Sequence, residues 1–165
     1  MICSPDKISF AADVMVGRLA HWLRVLGYDT LYHPEWQFPQ LAAQAQADGR
    51  VVLTRSRRLL TENPGLKTFL ISSANPKQQL LAVMQKFHLG TDWIFSRCTG
   101  CNVLVESVSP AEVATQVPAR VLLQTTVFYR CQRCGKVFWQ GSHLKRFTEF
   151  LRRLSQYQAE ELDEE

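Results

Sequence analysis

Four cysteines stand in two pairs of equal spacing, Cys98-Thr-Gly-Cys101 and Cys131-Gln-Arg-Cys134. A two-residue spacer lets both thiolates of a tight turn point at one ion, and two such turns complete a tetrahedron. Shifting the chain by 33 residues lays Phe95 on Phe128, Arg97 on Arg130, Cys98 on Cys131, Cys101 on Cys134 and Leu104 on Val137. Asn102 then falls on Gly135, and these residue types most readily take a positive φ. The pattern predicts two pseudo-symmetric knuckles of a zinc ribbon with Cys98, Cys101, Cys131 and Cys134 as ligands. Four thiolates leave no open position, so the zinc is expected to be structural. They also outweigh the ion in charge, and Arg97, Arg130, Arg133 and Lys136 lie close in sequence to offset the excess. The 29 residues between the pairs exceed a minimal ribbon, and a loop around 109–118 is expected to fill the difference. The alternative is a redox dithiol or two unrelated cysteine pairs. No basic region followed by an apolar stretch opens the N-terminus, so a cytoplasmic location is expected and metal binding is favoured over disulfides. Cys3 stands alone and reads as an ordinary thiol.

A second chemistry would need oxygen ligands. Asp13 follows a predicted strand and precedes a predicted helix. That position suits a metal or catalytic carboxylate, and equally a residue that only favours a helix start. Metal-assisted phosphoryl chemistry needs several carboxylates converging on hard cations. The first 95 residues hold Asp6, Asp13, Asp29, Glu35, Asp48, Glu62 and Asp92, with no spacing that obviously joins two of them. Cationic residues are better grouped: Arg18, His21 and Arg24; Arg55, Arg57 and Arg58; and His143, Lys145, Arg146, Arg152 and Arg153. Such sets hold phosphates by charge and by forked guanidinium bonds, or are simply a solvated basic surface. Trp22, Trp36, Trp93 and Trp139 read either as base-stacking rings or as packing.

The elements that must position these groups follow from periodicity. Residues 7–12 (KISFAA) read as a strand, and 16–26 as a helix with Gly27 at its C-terminal cap. Residues 28–32 form a second strand. Pro39 and Gly49 bracket an Ala-rich helix. Residues 50–54 and 67–71 are further strands, and Asn75-Pro76 opens a helix that Gly90 is expected to close. This alternation predicts an α/β domain over 1–92 with a mostly parallel sheet flanked by helices. Ligands on such sheets bind beyond the carboxyl ends of the strands, which places Asp13 and Ser56 where chemistry belongs. The zinc ribbon is expected over 93–141. A helix over 142–159 carries an apolar stripe and is expected to pack back on the first domain, and 160–165 form an acidic tail.

The 165 residues carry 19 Lys and Arg against 15 Asp and Glu, a formal charge of +4. The last six residues hold five of the acids, which leaves residues 1–159 at +9. A basic body suggests a polyanionic partner. Collagen-like, coiled-coil and wholly disordered classes are excluded by composition, and no apolar run approaches the roughly 20 residues of a membrane span.

The segments ISFAADVMVGRLAHWLRVLGYDT, RVVLTRSRRLL, FSRCTGCNVLV and FYRCQRCGKVFWQGSH occur in this order. Together they resemble the Mut-seven C-terminal ribonuclease domain family. The resemblance implies a PIN-like nuclease fold with an inserted zinc ribbon, an RNA partner, and RNA hydrolysis dependent on Mg²⁺ or Mn²⁺ held by acids at strand ends. Asp13 matches the family's first acid, the four cysteines its zinc ligands, Arg18 and Arg24 its helix motif, and Arg55 and Arg57 its basic residues after the third strand. Two positions depart from the family: Ser56 and Phe38 stand where it has Asp. An active site would therefore rest on Asp13, supplemented by Asp29, Glu35 or Ser56. RNA contacts would fall to Arg18, Arg24, Arg55, Arg57, His143, Lys145 and Arg146. Three functions follow: a metal-dependent ribonuclease with a weakened acidic site, an inactive RNA-binding module, or an adaptor that docks a protein through the ribbon or the acidic tail. The zinc reading predicts close to one zinc released per chain on thiol modification; a yield well below one would overturn it.

Overall fold

The computed structural model describes residues 7–162, without the side chains of 143 and 155–162. Cys3 and residues 163–165 of the acidic tail lie outside the described residues. One compact unit runs through Val103 and a second begins at Leu104.

The first unit holds four short strands, β1 (Phe10–Ala12), β2 (Thr30–Leu31), β3 (Val51–Thr54) and β4 (Thr68–Leu70). All pair in parallel in the order β2-β1-β3-β4. Period-two alternation sorts their side chains. Ala11 pairs with Val52, and both pack with Leu41 and Ala45 of helix α2 (Phe38–Asp48), joined by Leu31, Trp36, Phe38 and Leu66. On the other face Phe10 and Phe69 each set an edge against Phe87 of α4 (Pro76–Phe87), with ring centroids 5.3 and 5.5 Å apart. Such edge pairs add about 0.5–1.5 kcal/mol beyond the area they bury. Helix α1 (Gly17–Val25) follows a 3-10 turn at Val14–Val16 and buries Leu19, Ala20 and Leu23.

Three local expectations change. A short helix, α3 (Arg57–Glu62), intervenes where strand was expected to follow strand; Ser56 caps it through Oγ, which accepts from Leu59 N–H at 3.4 Å. Six residues show too little periodicity to announce a helix. Helix α4 ends at His88, which takes the left-handed cap at φ 52°, and not at Gly90. Gly90 instead holds the buried Tyr28: its N–H donates to the tyrosine hydroxyl at 2.8 Å, and the hydroxyl donates to its carbonyl at 3.3 Å. The loop expected around 109–118 contains a helical turn, α5 (Pro110–Val113), opened by a reciprocal Ser109–Glu112 capping box, and a second turn, α6 (Ala119–Leu122), follows it.

The second unit carries an antiparallel sheet of β5 (Glu106–Val108), β6 (Phe128–Arg130) and β7 (Val137–Trp139) in that order. Val113, Val117, Val121 and Phe128 form its core, with Val108, Leu122, Val137 and Trp139 packed around them. Helix α7 (Ser142–Leu162) buries Leu151 and Leu154 and turns Arg152 and Arg153 outward onto Glu149. Those two arginines hold the exposed Glu149 carboxyl down to about 2. No helix among the described residues is long and apolar enough to cross a membrane.

Gly27 has no room for a side chain. Its φ is +94°, and a Cβ there would meet the Trp93 carbonyl at 2.4 Å and Ser96 Oγ at 2.6 Å. Gly49 also has positive φ, +67°, but open space around it. Gly27→Ala is expected to cost at least about 2 kcal/mol by urea denaturation, and Gly49→Ala about 1 kcal/mol, since only the first adds a backbone collision to the conformational strain. Equal losses would show that crowding at Gly27 is relieved elsewhere.

Candidate functional site

The strand order 2-1-3-4 puts its reversal between β1 and β3, and crevices that take ligands open at such points beyond the carboxyl ends. Asp13 follows β1 there and Ser56 lies just past β3, so the fold brings together two residues 43 positions apart. They line a cavity of about 230 Å³ with Met15, His33, Trp36, Phe38 and Arg58.

Asp13 is only 6% exposed. Its Oδ1 accepts from Met15 N–H at 2.7 Å, which caps the 3-10 turn, and its Oδ2 accepts from the Thr54 hydroxyl. Thr54 Oγ1 in turn accepts from Ser56 N–H at 3.0 Å. The carboxylate thus organises its own loop as well as facing the cavity. Phe38 sits at the start of α2 and reaches both the cavity and the core beneath it. Glu35 is exposed and is not among the residues lining the cavity; its backbone N–H donates to His33 Nδ1 at 3.3 Å. Among the described residues the lining offers one carboxylate with both oxygens engaged, a hydroxyl that caps α3, the Gln37 amide that caps α2, and an imidazole. A hard divalent cation draws on several oxygen ligands that neutralise its charge, and these residues do not fit one.

The structure separates Asp29 from Asp13. Phe10 pairs with Thr30, so Asp29 precedes its strand at the amino end while Asp13 follows its own at the carboxyl end. Four residues of strand rise divide them, roughly 13 Å. Asp29 instead binds Arg50 Nη1 at 2.6 Å and Asn102 Nδ2 at 2.7 Å. Burial pushes its carboxyl up, but those two hydrogen bonds and the Arg50 charge hold it below the usual range.

Cys98, Cys101, Cys131 and Cys134 converge, with ligand atoms all within 4.8 Å of one another. Tetrahedral zinc at about 2.3 Å from each sulfur needs separations near 3.8 Å, so the set fits zinc. Among the described residues it is the group of three or more His, Cys, Asp or Glu that converges in this way. The two turns repeat one hydrogen-bond pattern. Cys98 N–H donates to Val103 O at 2.8 Å and Asn102 N–H to Cys98 O at 2.9 Å. In the second turn Cys131 N–H donates to Lys136 O at 3.0 Å and Gly135 N–H to Cys131 O at 2.8 Å. Asn102 and Gly135 take φ of 60° and 73°, as the internal match predicts.

The first turn is fastened to the parallel sheet. Asn102 Oδ1 accepts from Thr30 N–H at 3.0 Å, which occupies a donor on edge strand β2. Arg97 donates to Gly27 O at 3.2 Å and Asn102 O at 2.6 Å. Arg24, expected among the RNA contacts, is 8% exposed and donates to the carbonyls of Thr30, Thr99 and Gly100 at 2.9, 3.1 and 3.2 Å. Burial pushes its pKa down, while Asp29, Cys98 and Cys101 push it back up. Its guanidinium thereby positions the cysteine turn. Arg18 and Arg57 are exposed, as are Lys145 and Arg146 of the second unit. Arg55 is half-buried, and its Nε has no hydrogen-bond partner among the described residues. The His143 side chain lies outside the described residues.

Thr54, His33 and the Asn102 side chain are site residues that sequence reasoning missed. Thr54 closes a strand whose composition already explained it, and the Asn102 contacts span 72 residues. Only His33, three residues before Trp36, offered a local signal.

The family model described as Mut7-C RNAse domain matches residues 8–151. Comparisons with the curated proteins and with solved structures give no match.

Asn102→Gly keeps the positive φ and removes the ties to Thr30 and Asp29. It is expected to cost about 1–3 kcal/mol while the chain still carries one zinc; loss of zinc with unchanged stability would reverse that assignment. Asp29 has a depressed folded pKa, so its contribution is complete above its unfolded value near 4 and is lost as pH falls through the folded value. Urea midpoints of Asp29→Asn should therefore fall less steeply than wild type below about pH 4.

Proposed function

The chain belongs to the Mut7-C RNase domain family, and from that membership we propose that it binds RNA at the carboxyl end of its parallel sheet without metal-dependent hydrolysis. The observation that carries this reading is the donor set around Asp13: one carboxylate, already accepting from Met15 N–H and Thr54, lines the cavity with Ser56 and Phe38. A serine hydroxyl is neutral and a phenyl ring ligates nothing, so water would have no pair of cations to activate it.

Binding needs less. Arg57 and Arg58 are exposed just beyond β3, at the same sheet end as Asp13, and Arg18 is exposed on α1. Guanidinium groups there can fork onto phosphates without ordering a metal. The zinc ribbon contributes stiffness, because a closed four-thiolate site organises chain and offers no catalytic position.

A second reading is metal-dependent phosphodiester hydrolysis. The position of Asp13, at the strand reversal and matching the first acid of the family pattern, favours it. Zinc-loaded protein incubated with single-stranded RNA and Mn²⁺, beside Asp13→Asn, decides between the two. The expected result is no cleavage above the variant's background, with binding whose log–log salt slope is about −2, as for roughly three neutralised phosphates. Cleavage by wild type that disappears in Asp13→Asn would establish the second reading. Affinity indifferent to salt would overturn RNA binding through these arginines.

A further inference from the structure

The cavity at the strand reversal has the wrong walls for a metal-bound phosphate and suitable ones for a flat ring. His33 and Trp36 stack with centroids 5.4 Å apart and planes inclined by 22°. His33 is exposed and Trp36 half-buried, so the pair forms a step of aromatic surface at the cavity wall. Val14 and Met15, which also line it, are 54% and 52% exposed. Two adjacent apolar residues left in water beside an aromatic pair gain by being covered. Phe38 and Leu41 extend the apolar lining. Asp13 and Ser56 are the polar lining residues at the strand ends, and Arg58 adds a cation.

We propose that this cavity is a nucleobase pocket, in which one base of a bound strand stacks on the His33–Trp36 surface and is covered by Met15, with Arg58 taking the attached phosphate. Aromatic faces accept any base by stacking. The volume of about 230 Å³ lies below the roughly 300–1,000 Å³ of drug-sized sites, which suits a single base and not a stacked dinucleotide. The position that Phe38 takes from a family acid is thereby put to use: a ring there enlarges the apolar wall that a base needs. The inference rests on the RNA-binding reading but is narrower, since it assigns one nucleotide to one place.

The test is calorimetric titration of the zinc-loaded full chain with the four nucleoside 5′-monophosphates, with ribose 5-phosphate, and with a single-stranded RNA dodecamer. Nucleotides should bind at least tenfold more tightly than ribose 5-phosphate. Trp36→Ala should weaken nucleotide binding roughly five- to 150-fold, and Trp36→Phe much less, as stacking requires. Trp36 also packs on the core, so His33→Ala and Met15→Ser, both at exposed positions, provide variants that leave the core intact; each should weaken nucleotide binding at unchanged melting temperature. Ribose 5-phosphate binding as tightly as nucleotides, or nucleotide affinity untouched in both exposed-position variants, overturns the pocket. Failure of the two readings is distinguishable. RNA bound with salt dependence but no mononucleotide bound leaves the RNA reading standing and removes the pocket. Mononucleotides bound through Trp36 with no RNA bound keeps the pocket and removes the RNA reading.

Discussion

A single amide side chain closes the edge of the parallel sheet. Asn102 Oδ1 accepts the Thr30 N–H that β2, as an edge strand, would otherwise offer to solvent or to another strand. Its Nδ2 meanwhile meets Asp29, which is held by Arg50. The same residue sits at positive φ after Cys101, so its backbone shapes the first cysteine turn while its side chain anchors that turn to the sheet. Arg24 and Arg97 add donors to the carbonyls on either side. Geometry at the first pair of thiolates and geometry at the sheet edge are consequently one problem, solved by one set of hydrogen bonds. The second turn has Gly135 at the matching position, which supplies the backbone conformation with no side chain to anchor.

The two ends of the sheet have divided their chemistry. At the amino end, both acids are paired: Asp29 and Asp48 each meet Arg50. At the carboxyl end, the buried Asp13 is satisfied by a hydroxyl and a backbone amide, and the surface around it is aromatic and apolar, with arginines beyond. Ser56 and Phe38 also have structural duties there: one caps α3, the other begins α2 and fills the core below.

Much of this was legible in the sequence because it depends on short-range rules. Paired cysteine spacing and the alternation of strands and helices rest on patterns a few residues long, and the internal match that equates Asn102 with Gly135 needs only one shift of 33 residues. What escaped was either too short or too distant. Helix α3 spans six residues and had no periodicity to display. Gly90 looked like a helix stop because glycine usually is one; its actual partner, the Tyr28 hydroxyl, lies 62 residues away. Arg24 was grouped with the phosphate-holding cations, and nothing local shows that carbonyls of the cysteine turn arrive to receive it.

The amino-acid sequence by itself determined which four cysteines converge, the parallel character of the first sheet and the residue types at its strand ends, since spacing and periodicity are properties of the chain alone. Only the tertiary structure decided which acids share a site. Asp29 and Asp13 are close in sequence yet stand at opposite ends of neighbouring parallel strands, whereas Asp13 and Ser56 are distant in sequence and meet. The direction of a strand, once paired, sets which of its termini faces a crevice, and pairing is a long-range choice that no local pattern records.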